Sequence, residues 1–258
     1  MLPALDFDGL LGILILIGLA TGLLTGLTGA SGMSILISAL LLTGIEIRQI
    51  IGLTFVVTLV NSAIAVGAYW KHRHVDARSG FLVAMPAIGA VFVGHLFSRT
   101  VEPTSLTGLM LVCLFLVGIK FLTTPEDARQ HAATPDRRPH SGALVLLGCV
   151  AGFVMGIMGG GGAVFISVAL MIGFKMETKT AIGTSILIMG LAAIPGVLSH
   201  WQSETIDVSY AVTILASSIP AAFAASWYAH RISKRRIKQL LGVYLVSIST
   251  LLLFRTFA

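Results

Sequence analysis

Apolar residues fall along this chain in ten unbroken runs, at 9–28, 33–43, 50–70, 81–97, 105–121, 142–158, 163–174, 181–199, 208–229 and 237–254. The runs are continuous rather than alternating, which predicts helices and argues against membrane strands. A helix crosses a bilayer with about 20 residues, and roughly 17 is the lower limit. Eight runs reach that limit. The other two, 33–43 and 163–174, cover about half a bilayer at ~1.5 Å per residue, and each follows a glycine-rich break. The one long polar stretch, 122–141, holds three prolines and divides the runs five and five. It reads as a surface linker with little structure of its own. The expected organisation is a first membrane repeat (1–121), the linker (122–141) and a second membrane repeat (142–258).

The two sets of five overlay at an offset near 130. Gly22, Gly26, Gly29 and Gly32 match Gly152, Gly156, Gly159 and Gly162. Ile37-Ser38 matches Ile166-Ser167, Glu46 and Arg48 match Glu177 and Lys179, and Gly52 and Thr54 match Gly183 and Ser185. Trp70 matches Trp201, Asp76 matches Asp207, and Pro86-Ala87 matches Pro220-Ala221. Chance likeness between apolar helices does not account for matched charges, tryptophans and prolines in one order, so a duplication is expected. The prolines within the runs, Pro86, Pro195 and Pro220, are expected to kink their helices.

Charge then orients the repeats. All 28 Lys, Arg, Asp and Glu residues lie outside the runs or at their ends. The loop after the third run is basic in the first half (Lys71, Arg73, Arg78) and acidic in the second (Glu204, Asp207). One loop later the signs reverse, with a sparse 98–104 against a strongly basic 230–238. Positively charged loops stay in the cytoplasm, so the repeats are expected to be inverted, with the linker inside and both termini outside. Five returning segments per repeat satisfy that parity. The fold expected is all-α: a polytopic membrane protein of two inverted repeats, each with four long helices and one half-helix.

Composition agrees. Hydrophobic types make up 56% of 258 residues and charged types 11%, less than half of the roughly 25% usual in soluble domains. That excludes an ordinary soluble enzyme, a coiled coil and a disordered chain. The net charge of +6 is spread over short loops as topology signals, so no nucleic-acid partner is expected; the partner is the lipid bilayer. The two cysteines, Cys113 and Cys149, lie inside apolar runs and read as small buried hydrophobes rather than a disulfide or a metal site. The start, MLPALDFDG, is acidic where a secretory leader is basic, so no cleaved leader is expected.

The paired breaks carry the candidate chemistry. Broken helices at membrane depth survive only against protein or a watery cavity. A helix starting at such a break aims its N–H groups and positive dipole end at that cavity, which makes an anion site without a fixed cation. Gly29, Ala30, Ser31 and Gly32 open one half-helix, and Gly159, Gly160, Gly161 and Gly162 the other. Close helix packing through small residues is the alternative for these glycines. Thr54 and Ser185, which match between halves, join the candidate site as hydroxyl donors. Asn61, an amide inside a run, is either a ligand or interhelical glue. His95 is either a proton carrier or an interface-facing ring, with the second favoured. Lys and Arg are not expected to be the main ligands.

No carboxylate lies inside a run, which argues against carboxylate-based proton coupling and against a cation substrate. There is no paired carboxylate, HExxH, GxSxG or Walker motif, so no enzyme, cofactor or metal is expected. A passive anion channel and a membrane assembly subunit without transport stay open, as does a homo-oligomer.

The duplicated turn (GLTGASGMSILIS and GIMGGGGAVFIS), the later IGLT and IGTS elements and the MPAIGA and IPAAFA helix segments resemble the TauE/SafE family of sulfite-exporter-like membrane proteins. The likeness runs from about residue 10 to 254. It departs where Ala30 and Ser31 stand in place of glycines, and where the proline that often follows the glycine turn is missing in both halves. The resemblance implies a multi-pass secondary transporter in a prokaryotic plasma membrane. Its implied cargo is sulfite, an organosulfonate or a related sulfur oxyanion, usually moved outward.

Overall fold

The computed structural model describes residues 7–29, 32–42, 45, 47–97, 119, 141–158, 163–202 and 206–233, together with 236, 237, 239, 242, 243, 246, 247 and 250. Among these the regular structure is helix, with no strand. Eight helices have bounds: α1 Phe7–Thr28, α2 Met33–Leu42, α3 Ile47–Lys71, α4 Ala77–Phe97, α5 Ser141–Met158, α6 Ala163–Ile172, α7 Thr178–Gln202 and α8 Val208–Ala229. The run at 105–121 and the linker at 122–140 lie outside the described residues, apart from Ile119. Five helices (α1, α3, α4, α7 and α8) are long and apolar enough to cross a membrane, and α5 is a shorter apolar helix. The chain is a multi-pass, all-α membrane protein.

Helix starts follow from local chemistry. Asp207 caps α8, its Oδ1 accepting from the N–H groups of Ser209 (2.9 Å) and Tyr210 (3.3 Å). Its sequence match Asp76 does the same before α4, Oδ1 accepting from Ser79 N–H (3.2 Å) and Oδ2 from the Ser79 hydroxyl (2.7 Å). Each satisfies orphan donors of a first turn. This is why α4 and α7 begin ahead of their apolar runs: a cap or a polar first turn is stable at the membrane surface. Pro86, Pro195 and Pro220 all lie inside continuous helices.

Packing pairs helices distant in sequence. Without a hydrophobic drive between helices in lipid, close backbone approach through small residues holds them together. In α1, Gly18, Gly22 and Gly26 sit against Ile214, Ser217, Ser218, Ala221, Ala222, Ala225 and Ser226 of α8, so the two run parallel. In α5, Gly148, Gly152 and Gly156 sit against Val83, Ala87 and Val91 of α4, again parallel. Helices α3 and α7 cross antiparallel at the centre: Phe55 meets Gly196, Ser62 meets Gly190, and Tyr69 meets Gly183. The half-helices flank this pair, α2 beside α3 and α6 beside α7. One buried cluster centres on α7 with α4 and α5; a second joins Leu14, Ile17, Leu36, Leu40, Leu53 and Ile214.

Candidate functional site

The first break is built by Gly29. Its φ of +67° lies in the left-handed region that glycine enters without strain, and its N–H closes on Thr25 O at 3.0 Å, ending α1. Helix α2 then opens with Leu36 N–H donating to Gly32 O at 3.0 Å. Gly32 is buried against Thr21, seven residues back along α1 or about 10 Å at ~1.5 Å per residue. The chain therefore folds back into the protein, and the N-terminus of α2 lies inside it. A helix start of this kind presents N–H groups and positive potential.

Gly29 faces the other half of the chain. A side-chain β-carbon there would sit 2.9 Å from Ile182 Cγ2 and 3.1 Å from Ser185 Oγ. Of the residues expected to form a site, the structure thus brings Gly29 and Ser185 together. Thr54 lies elsewhere. Its neighbour Phe55 packs on Gly196, which is eleven residues beyond Ser185 on α7, or roughly 16 Å along the axis. Asn61 stands between these levels, since Ser62 packs on Gly190. Ala30, Ser31 and Gly159, Gly160, Gly161 and Gly162 lie outside the described residues.

The hydroxyls have local bonds. Thr54 Oγ1 donates to Ile51 O (2.7 Å) and Ser185 Oγ to Ile182 O (2.8 Å), the back-bonding common within helices. Asn61 is fully buried, and its Oδ1 accepts from the Ser218 hydroxyl of α8 at 3.0 Å. Its Nδ2 has no hydrogen-bond partner among the described residues. The buried polar side chains described are Thr, Ser, Asn and His, with no Asp, Glu, Lys or Arg. The interior thus offers donors without fixed charge.

Sequence reasoning missed three contributors. Tyr69, fully buried at the end of α3, donates its hydroxyl to Gly26 O at 3.1 Å and so ties α3 to the turn before the break. Thr184 Oγ1 accepts from Asp76 N–H at 2.9 Å, joining α7 to the start of α4. The third is a stack of imidazoles at one membrane end. His230 lies 3.8 Å from His72 and 5.4 Å from His74 between ring centroids, with Tyr69 edge-on at 4.8 Å. No sequence signal joins residues so far apart. Lys179 Nζ donates to His230 O at 2.8 Å, and Lys71 Nζ lies 4.8 Å over the Trp227 ring. Lys179 is thus held at the rim. At the opposite end His95 meets His200 edge-on at 5.1 Å, and His200 stacks on Phe55 at 5.8 Å. His95 thus lies against α7. Among the described residues no group of three or more His, Cys, Asp or Glu is placed to hold a metal.

Burial pushes the His230 imidazole down to about 4, reinforced by His72, His74 and Lys179. The unfolded chain, with the ordinary value of 6.5, then binds more protons than the folded one as pH falls from about 6.5 to 4. Stability should therefore drop across that window and be unaffected by this group above it. Thermal unfolding of the purified protein at pH 7.5 and 4.5 should show a larger loss for wild type than for His230→Phe. An equal loss in both would exclude His230 as its source.

A family model described as "Sulfite exporter TauE/SafE" matches residues 14–252. The chain is 24% identical over 249 residues to the probable membrane transporter protein YjnA of Bacillus subtilis, covering 91% of this chain and 96% of that one. It is 24% identical over 249 residues to the probable membrane transporter protein YdhB of the same organism, covering 94% and 100%. A probable membrane transporter protein of Xylella fastidiosa is 26% identical over 252 residues, covering 94% and 93%. No solved structure matches.

Proposed function

The chain belongs to the sulfite exporter TauE/SafE family, a family of membrane transporters and not of enzymes, and from that premise we propose that it is a secondary transporter moving a small sulfur oxyanion outward across a prokaryotic plasma membrane. Sulfite and organosulfonates are the cargo class. The observation that carries this reading is the contact between the Gly29 turn of the first half and Ser185 of the second, in an interior with buried donors and, among the described residues, no buried charge. A neutral cradle suits transport. Desolvating an anion is costly, so it needs several aimed donors, while a buried arginine would hold it too tightly to release. Backbone N–H groups of α2 are the principal donors at this end. We assign the glycine run Gly159–Gly162, which matches the first break in sequence, to the same site. Thr54 and Ser185 line the two ends of the α3–α7 crossing, and Asn61 offers its Nδ2 between them.

The antiparallel crossing of α3 and α7, whose residues match in sequence, supports two inverted repeats, 1–121 and 142–258, about the linker 122–141. So does the pairing of α1 with α8 and of α5 with α4. His72 and His230 touch, which brings the basic segment after α3 and the end of α8, where the second basic segment begins, to one end. By the positive-inside rule that end is cytoplasmic and both termini lie outside. Cysteines introduced at Arg73 and Glu204 should be labelled from outside only at position 204; labelling of both would remove this topology.

Proteoliposomes holding the purified protein should take up radiolabelled sulfite in a saturable way, competed by organosulfonates. Accumulation against a gradient, lost on adding an uncoupler, is the result expected of a coupled carrier. Downhill flux insensitive to the uncoupler would make it a passive facilitator, and flux no greater than in empty vesicles would end the transport reading.

A further inference from the structure

A notch of about 300 Å³ opens at the end of α8, lined by Tyr228 and Ile232 on one side and by Arg236, Gln239 and Val243 on the other. The last three residues are helical. Their spacing of three and then four sets them on one face of a helix. At ~1.5 Å per residue Gln239 lies about 4.5 Å, and Val243 about 10 Å, below Arg236 along the axis. A guanidinium at the rim, a carboxamide one turn down and an isopropyl group two turns down follow the order of phosphate, glycerol ester and acyl chain in a phospholipid.

We propose that this notch binds one anionic glycerophospholipid, with its phosphate on Arg236, its glycerol ester on Gln239 and an acyl chain lying past Val243 and Tyr228. Arg236 has no ion pair among the described residues, and its own N–H is set by Ser233 Oγ at 3.4 Å. A free guanidinium matches a phosphate with two parallel hydrogen bonds. Residues 230–238 carry five Lys and Arg and no Asp or Glu, so the local field favours an anionic headgroup over a zwitterionic one. Tyr228 and Val243 are 59% and 53% exposed, which leaves apolar wall for a chain to cover. Inorganic phosphate would leave that wall bare. The neighbouring Trp227, with Lys71 over its ring, marks the same rim as an aromatic and cationic belt. The site lies outside the transport path proposed above and does not depend on it.

The test uses full-length protein in detergent micelles, titrated with phosphatidylglycerol, phosphatidylcholine or inorganic phosphate, and read by native mass spectrometry. Wild type should retain one phosphatidylglycerol. Arg236→Gln should weaken retention roughly tenfold, the loss expected for charge-assisted hydrogen bonds. Val243→Trp, which fills the lower notch and keeps the guanidinium, should weaken it too, and Arg78→Gln, a basic residue on α4, should not. Equal retention of phosphatidylcholine, full competition by inorganic phosphate, or unchanged retention in both notch variants would overturn the proposal.

Discussion

Gly29→Ala is expected to lower sulfite flux at least roughly tenfold while the protein still inserts and folds. A residue with a β-carbon at φ +67° costs roughly 1–2 kcal/mol. The added carbon would lie 2.9 Å from Ile182 Cγ2 and 3.1 Å from Ser185 Oγ. Both neighbours are side-chain atoms, and the strain is smaller than the 5–15 kcal/mol that holds a typical fold together. The turn therefore shifts rather than the helices, and what it loses is its seat against α7. The control is Gly67→Ala, because nothing lies within 4 Å of a β-carbon there and alanine favours helix by about 1 kcal/mol. Initial rates in proteoliposomes at matched reconstitution decide the matter. Wild-type kinetics in Gly29→Ala would mean that the turn is not on the transport path.

Gly152→Leu should act on folding instead. A β-carbon at Gly152 would lie 2.6 Å from Ala87 Cα and press on its carbonyl, so it meets the backbone of α4. A backbone cannot rotate away, so α5 and α4 must separate along the seam that Gly148 and Gly156 share. Overpacking typically costs about 1–3 kcal/mol, and helix separation loses further packing over three glycines. Most of the protein should fail to elute as a monodisperse peak after detergent extraction. Gly22→Leu in the α1–α8 seam should behave alike, since its β-carbon would meet Ser218 O and lie 2.9 Å from Ala221 Cβ. Gly142→Leu, with open space around it, should leave elution unchanged. Normal elution of Gly152→Leu would show that the seams tolerate separation. The two substitutions together divide the glycines by task, one turn glycine for transport and the seam glycines for assembly.

Much of the fold could be read from the chain alone because membrane helices are defined locally. A run of apolar residues sets a helix wherever it occurs, and the run at 208–229 coincides with α8. The half-length run opening at 163 coincides at its start with α6, and the run at 142–158 begins one residue inside α5. The matched residues Asp76 and Asp207 share a capping role that their identity alone did not disclose.

Contacts between distant segments were beyond that reach. These helices are apolar on most sides, so no polar stripe marks which face meets a neighbour. Nothing in the order of residues says that α1 lies along α8 or that Gly29 meets Ser185. The glycines at four-residue spacing announce close packing without naming the partner. Thr54 and Ser185 match in sequence yet stand at opposite ends of an antiparallel crossing, because likeness in sequence is not proximity. The His72–His230–His74 stack exists only once the ends of α3 and α8 converge, and the notch beside Tyr228 only once Arg236, Gln239 and Val243 lie against the end of α8. Sequence by itself determined which of the described segments form apolar helices, that α1 stops at the glycine turn, and where charge is excluded, since those follow from the free energy of each segment in lipid. Tertiary structure alone decided which turns, hydroxyls and rings meet, since that depends on which backbones can approach closely enough to pack.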